Sequence, residues 1–190
     1  DEASGETTTL TRLRAAWPLS SDDDTDSQKM AVTPITEMAV QLSVDEAGQL
    51  VPAQITANNK AVAQAFFGSE SDEHLNIVTT QPSRLENQPT SSSSHHYGLV
   101  LGALSQMQKT QDIVSMDALM GGMATELKQN ENQGLGASTT LLNQSVVTFL
   151  STQLATMDTP PTVDSGVLAQ ANALMSNDQV YPYVAGFPYA

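Results

Sequence analysis

The sequence predicts an all-α fold: a compact bundle of five or six helices with an extended N-terminal arm and an extended aromatic C-terminal tail. Apolar residues recur at the i, i+3, i+4 and i+7 spacing that places side chains on one face of a helix. The chain holds eight Met and only 5% aromatic residues, which suits helix packing better than a β-sandwich. Clusters of Pro, Gly and polar residues separate the periodic segments, so the helices are expected to follow one another along the chain.

The chain is expected to divide into three parts. Residues 1–29 are rich in Thr, Ser and Asp and are predicted to be an arm or a linker from a preceding domain, in which 7–13 could form an edge strand. Residues 30–179 are predicted to be the helical domain. Residues 180–190 hold three of the four Tyr and one of the four Phe, interrupted by Pro, which predicts an extended tail.

The first helix is predicted to begin at Thr33, because Thr is a good N-cap and Pro34 is suited to the first helical position. Glu37 lies in the first turn, where a carboxylate complements the helix dipole. The turn residues 45–48 are expected to end this helix. Its apolar stripe consists of Ile35, Met38, Ala39 and Leu42.

The second helix is predicted over residues 52–67, with Gly68 just beyond its end. Its inward residues are expected to be Ile55, Val62, Phe66 and Phe67. Residues 68–94 are predicted to be mainly loop, since a long element is interrupted by Pro82, Pro89 and the serines 91–94. Within this loop, residues 75–78 are expected to extend briefly and to pack on the core.

The third helix is predicted over 95–108, with a stripe formed by Tyr97, Val100, Leu101 and Leu104. The fourth is predicted over 112–129, with Asp112 near its start and an inward face of Ile113, Met116, Met120, Met123 and Leu127. Gly121 and Gly122 are unfavourable inside a helix. The pair therefore predicts either a close helix contact or a break.

The fifth helix is predicted over 139–157, with Ser138 as its cap. Its buried residues are expected to be Leu142, Val146, Phe149, Leu150 and Leu154. A short sixth helix is predicted over 164–176, with an inward face of Leu168, Ala171 and Met175.

Composition excludes several classes of function. The formal net charge of −14 repels phosphate backbones and anionic lipid surfaces, so neither nucleic acid nor membrane insertion is expected. The chain has no Cys, which excludes a disulfide framework, thiol catalysis and Cys-ligated zinc. The longest apolar run, 97–104, is far too short to cross a bilayer.

The pattern of Asp22, Asp24 and Asp26 is similar to the opening of a calcium-binding loop. An EF-hand needs Gly at loop position six and Glu at position twelve, whereas this chain has Ser27 and Thr33 there. A solvated linker is therefore the favoured interpretation, and calcium binding at this loop is left open.

No motif marks a catalytic, cofactor or metal site, and none is assigned. The adjacent His95 and His96 lack the i, i+4 spacing of a zinc pair, and His74 is distant in sequence, so an exposed pair at a helix start is predicted. Neither GxSxG nor SxxK occurs. The remaining candidates are expected to be structural or solvated: Asp72-Glu73, Gly121-Gly122, Gly134-Leu135-Gly136 and the sequon Asn143-Gln144-Ser145.

Four segments stand out within roughly residues 30–130: 32–40 (with Thr33-Pro34-Ile35-Thr36), 55–68, 77–82 and 97–105. Together, and in the family's order, they resemble a module of large bacterial surface lipoproteins and adhesin-like secreted proteins. In that family a TPIT or TPLT element opens a helical region after a β domain. The resemblance implies an extracellular location and a modular parent protein, and it supplies no catalytic residues.

We therefore expect a non-catalytic structural or adhesive module of a bacterial extracellular or surface-anchored protein. Its partners would be other modules of the same polypeptide or neighbouring subunits, and the polar loops 68–94 and 130–137 are the expected contact surfaces for a polar or glycan ligand. One alternative is a subunit of an extracellular filament that assembles through the arm and the tail. A second alternative is a small hydrolase whose site has no recognised motif.

Overall fold

The computed structural model of the chain describes residues 13–18, 29–68, 75–82, 92–131 and 134–156. These residues are mostly helical, which confirms the predicted all-α class for this part of the chain. The helices are α1 (Pro34–Leu42), α2 (Pro52–Phe67), α3 (Ser92–Thr110), α4 (Met116–Gln129) and α5 (Ala137–Thr156).

Helix α1 begins where the sequence predicts because local hydrogen bonds define its start. Thr36 N donates to Thr33 Oγ1 over 3.3 Å, and Thr33 N donates to Thr36 Oγ1 over 2.9 Å, which is a capping box built from two threonines. Pro34 occupies the first turn and Ile35 is fully buried. The Thr-Pro-Ile-Thr sequence is therefore a helix start in which each of the four residues has a structural role.

The turn that follows α1 is also local. Gly48 N donates to the carbonyl of Asp45, and Gln49 N donates to Asp45 Oδ1 over 2.8 Å. Gly48 has φ +74°, a conformation that glycine adopts without strain. An antiparallel bridge joins Val44 to Leu50 across this turn. The turn returns the chain so that α2 can pack beside α1.

Three predicted helix starts need correction, whereas the bounds of α2 are confirmed. Helix α3 begins at Ser92, earlier than predicted, so most of the serine run is helical rather than loop. Helix α4 begins at Met116 with Ser115 as N-cap, because the backbone of Asp112 turns into the left-handed region with φ +50°. Helix α5 already includes Ala137, which places Ser138 inside its first turn.

The main helix contacts fall into two groups, which meet between α3 and α4. Helix α1 packs against α2 and α4, and α3 packs along α5 with a smaller contact to α4. One apolar core runs through all of these contacts and includes the predicted stripes of α1, α3 and α4, except that Leu101 and Ile113 are only partly buried against it. Its fully buried large side chains include Phe66, Tyr97, Leu104, Met120 and Phe149.

The close helix contact occurs at a glycine other than the predicted pair. Helix α4 runs unbroken through Gly121 and Gly122, and a Cβ at Gly122 would meet no atom within 4 Å. At Gly102 on α3, by contrast, a Cβ would overlap the ring of Phe149 on α5. Gly102 therefore allows α3 and α5 to approach each other, and the expectation for Gly121-Gly122 is wrong.

Residues 75–78 pack on the core as predicted, but not in an extended conformation. Leu75, Ile77 and Val78 are buried, and residues 77–79 form a turn. Asn76 Oδ1 stabilises this turn by accepting from Val78 N over 3.0 Å and from Thr79 N over 3.3 Å. The Asn side chain therefore replaces the backbone pairing that an extended segment would need.

Several predictions lie outside the described residues. These are the edge strand as far as residue 12, the Asp22–Asp26 loop, the sixth helix at 164–176, the aromatic tail at 180–190 and the side chains of Leu150 and Leu154.

Candidate functional site

Residues 13–18, which we call the clasp, lie across α1 and α2. Arg14 Nε donates to Glu37 Oε2 over 3.0 Å, and Arg14 Nη2 donates to Glu37 Oε1 over 2.6 Å. Glu37 lies in the first turn of α1, where we expected it to complement the helix dipole. Its side chain is only 4% exposed, so the guanidinium supplies the charge and the hydrogen bonds that a buried carboxylate needs.

Two further contacts hold the clasp. Ala16 packs with Val40 of α1 and Ile55 of α2 in a small apolar cluster. Asn59 Nδ2, also on α2, donates to the carbonyl of Ala16 over 3.0 Å. The hydrogen bond to Glu37 raises the pKa of Arg14 above its ordinary value.

Beyond Ala16 the clasp forms one wall of a groove of about 240 Å³, which we call the Trp17 groove. Trp17 is the only tryptophan of the chain, and it is half-buried here. The apolar lining consists of Trp17, Pro18, Ala63, Leu75 and Ile77. The polar lining consists of Thr56, Asn59, Lys60 and Asn76.

The two asparagines of the groove are held by the fold through one end of each amide. Asn59 uses Nδ2 on the Ala16 carbonyl, and Asn76 uses Oδ1 on the turn that follows it. The opposite ends, Asn59 Oδ1 and Asn76 Nδ2, are respectively an acceptor and a donor. The groove therefore combines an apolar floor with polar groups on side chains that are already held in place.

A polar network lies under the start of α1. Tyr97 Oη donates to the carbonyl of Ile77 over 2.9 Å and lies 2.7 Å from Thr33 Oγ1. Burial raises the pKa of Tyr97, and the hydrogen bond with Thr33 acts in the opposite direction. Because its hydroxyl is bonded on both sides, Tyr97 connects α3, the 77–79 turn and the α1 cap.

A second, more open depression of about 280 Å³ lies between α3, α4 and α5. It includes Met107, Met123 and Leu141, and Glu126 lies at its edge. Glu126 Oε2 accepts from Ser138 N over 3.1 Å, so this carboxylate caps the start of α5. Its polar group is therefore engaged in helix capping.

The predicted histidine pair is not an exposed pair. His96 is half-buried and its ring lies edge-on to Phe67, with centroids 5.2 Å apart. The prediction of full exposure is wrong for His96, because α3 begins early enough to bring it onto α2. The side chain of His95 and all of His74 lie outside the described residues, as do Asp72-Glu73 and Asp22, Asp24 and Asp26.

Other sequence candidates have structural positions. Asn143 of the sequon is buried within α5. Leu135, between two glycines, is fully buried, and Gly136 has φ +56° in the turn before α5. Among the residues that the structure describes, no three His, Asp or Glu side chains are placed to share a metal ion.

Sequence reasoning missed both the clasp and the groove. The signal for the clasp was weak: an Arg in a polar segment and a Glu on an otherwise apolar helix, 23 positions apart. Trp17 was also visible as an isolated aromatic residue beside Pro18. Its partners come from α2 and from residues 75–77, which no local pattern connects to it.

Comparison of the chain with protein-family models, with curated proteins and with solved structures gives no match. The resemblance to TPIT modules therefore stays a prediction. Within the ranges that the structure describes, no helix combines the length and the apolar character needed to cross a bilayer.

Proposed function

We propose that this chain is a non-catalytic structural or adhesive module of a bacterial extracellular or surface-anchored protein. The module would be a compact bundle of five or six helices with an extended N-terminal arm and an extended aromatic tail. The observation that supports this most strongly is the clasp, in which Arg14 binds the buried carboxylate of Glu37.

The clasp supports a structural role because a flexible linker does not need a buried ion pair. Removing a carboxylate from water costs several kcal/mol, and this cost is offset only by well-placed partners. Here the partners are on the clasp, and Asn59 fixes the backbone at Ala16. Such an attachment fixes residues 13–18 on α1 and α2, as expected at a joint between modules.

The polar groups of the described core also favour a structural module. Thr33, Thr36 and Tyr97 bond to one another or to backbone carbonyls, and Glu37 bonds to the clasp. Each of these polar side chains is therefore engaged in a contact that stabilises the fold. The acidic, Cys-free composition and the resemblance to surface modules support an extracellular location.

The experiment is an in-frame deletion of residues 13–156 in cells that make the native polypeptide. We expect either less parent protein at the cell surface or weaker attachment of the cells. A strain that carries Lys29→Ala, a change at one exposed side chain within the deleted segment, is the matched control. If the deletion strain keeps both its surface protein and its attachment, the proposal is wrong.

A second candidate, a subunit of an extracellular filament, is favoured by one described feature. Val114, in the turn between α3 and α4, is 97% exposed, and Met30 and Val32 also expose large apolar side chains. Apolar side chains at such positions can pack against neighbouring subunits. Polymerisation that rises with protein concentration, and that Val114→Ser reduces, would support this candidate.

A further inference from the structure

The Trp17 groove has the size of a site for one small ring. Its volume of about 240 Å³ lies just below the range of about 300–1,000 Å³ that holds drug-sized ligands. Ala63, Leu75 and Ile77 are buried and provide apolar surface, and Trp17 adds a flat aromatic side chain. A ligand that carries an apolar group on one small ring therefore matches the size and the apolar surface of the groove.

The polar lining selects a ligand that both donates and accepts hydrogen bonds. Asn76 Nδ2 is a hydrogen-bond donor and Asn59 Oδ1 is an acceptor. The other end of each amide is bonded to the backbone, which orients these two atoms. The Thr56 hydroxyl, on the exposed side of α2, can do either. A secondary amide presents the complementary pair, since its carbonyl accepts and its N–H donates.

The charges around the groove further restrict the class of ligand that it can bind. Among the described residues that line the groove there is one ammonium, on Lys60, and no carboxylate. A cationic ligand would meet no counter-ion among these described lining residues, and a strongly anionic ligand would be repelled by the net charge of −14. A neutral, polar ligand fits both conditions.

We infer that the Trp17 groove binds the acetamido group of an N-acetylhexosamine. The acetyl methyl would lie on the apolar floor, the amide would bond to Asn59 and Asn76, and the sugar ring would pack against Trp17. This inference rests on the proposed function in its adhesive version, and it names the class of ligand that the module would bind.

The test is a titration of the purified full chain with N-acetylglucosamine, followed by tryptophan fluorescence. Trp17 is the only tryptophan, so any saturable change in emission reports a change in the surroundings of Trp17. We expect half-saturation at about 1 mM, as befits one small ring. Glucose, which has the same ring without the acetamido group, should bind about tenfold more weakly.

Two variants locate the site. Asn76→Asp keeps the Oδ1 acceptor that stabilises the turn but removes the donor, and it should weaken binding about tenfold. Thr56→Phe fills the groove from an exposed position and should abolish the fluorescence change. Gln54→Phe, the same substitution at an exposed position of α2 that does not line the groove, should bind like the wild type.

The inference is overturned if N-acetylglucosamine leaves the emission unchanged or if glucose binds equally well. It is also overturned if deletion of 180–190 shifts the emission while sugar has no effect, since the tail would then be the occupant. The titration uses purified protein and is independent of cell location. A failed titration therefore leaves the proposed function standing, whereas a protein found only in the cytoplasm contradicts the adhesive role without changing the titration result.

Discussion

Arg14 and Glu37 lie 23 positions apart in sequence, yet their side chains form a bidentate ion pair, with Nη2 2.6 Å from Oε1 and Nε 3.0 Å from Oε2. Gln41 Nε2, one turn further along α1, lies 3.4 Å from the same Oε1. The pair attaches the clasp to the first helix, so the stability of the helical domain should depend on a residue that lies outside every helix.

We expect Arg14→Ala to lower the free energy of unfolding by about 1–3 kcal/mol, because it leaves the Glu37 carboxylate buried without its counter-charge. This is below the range for fully buried pairs, since Arg14 is 30% exposed. Urea denaturation measures the change. Lys29→Ala removes the same charge from an exposed side chain and should stay within about 0.5 kcal/mol of the wild type. Equal effects of the two substitutions would contradict a stabilising clasp.

The approach of α3 to α5 predicts opposite effects at two helical glycines. Gly102→Ala should destabilise by about 1–3 kcal/mol, because its Cβ would overlap the buried ring of Phe149 and the helices must shift. Gly122→Ala meets nothing within 4 Å and should stabilise by up to about 1 kcal/mol through helix propensity. Thermal or urea unfolding of both variants checks the pair, and stabilisation by Gly102→Ala would be inconsistent with the close contact.

The Tyr97 network predicts a stability that decreases at alkaline pH. Burial raises the pKa of Tyr97 above its ordinary value of 10.0, so the folded state holds the phenolic proton more tightly than the unfolded state. The corresponding stability is complete below pH 10 and is lost as pH rises beyond it, by up to about 1.4 kcal/mol per pH unit.

Tyr97→Phe removes this dependence. At pH 7 the substitution should cost about 1–3 kcal/mol, since the Ile77 carbonyl and the Thr33 hydroxyl lose their partner. The difference between wild type and variant should shrink as the pH rises above 10. Urea denaturation at pH 7, 10 and 11 measures it, and a difference that is constant with pH would show that Tyr97 is not buried as described.

The Glu126 carboxylate of α4 is predicted to act as the cap of α5. Glu126→Ala should destabilise by about 1 kcal/mol, because Ser138 N loses one of its two acceptors and keeps only the Leu135 carbonyl. Ser138→Ala should be nearly neutral, since Ser138 lies within the helix and contributes its backbone N–H. Denaturation midpoints of the two variants distinguish these roles. If Ser138→Ala destabilises the protein more than Glu126→Ala does, the Ser138 side chain is the cap, as the sequence predicts.

The sequence predicted features that depend on neighbouring residues and missed those that depend on distant ones. The bounds of α2 and the start of α1 were predictable because Pro34, Pro52 and Gly68 act on their own turns. The error at α4 arose because Asp112 resembles a first-turn acid, whereas its left-handed backbone makes it part of the turn before the helix.

Tertiary contacts explain the remaining differences. Gly121-Gly122 was the more visible glycine signal, but the glycine that α5 needs is the isolated Gly102, because Phe149 lies opposite it. The clasp and the Trp17 groove form only when residues 13–18 meet α1, α2 and the turn near residue 76. No periodicity within one segment contains that information.

The most direct test of the proposed function is the size and cell fraction of the native polypeptide that carries this sequence. Peptide mass spectrometry on separated cell, envelope and medium fractions measures both. We predict peptides from this chain together with flanking sequence in one large polypeptide of the envelope or the medium. A free species of about the 20.2 kDa of this chain, confined to the cytoplasm, would contradict a module of a surface protein.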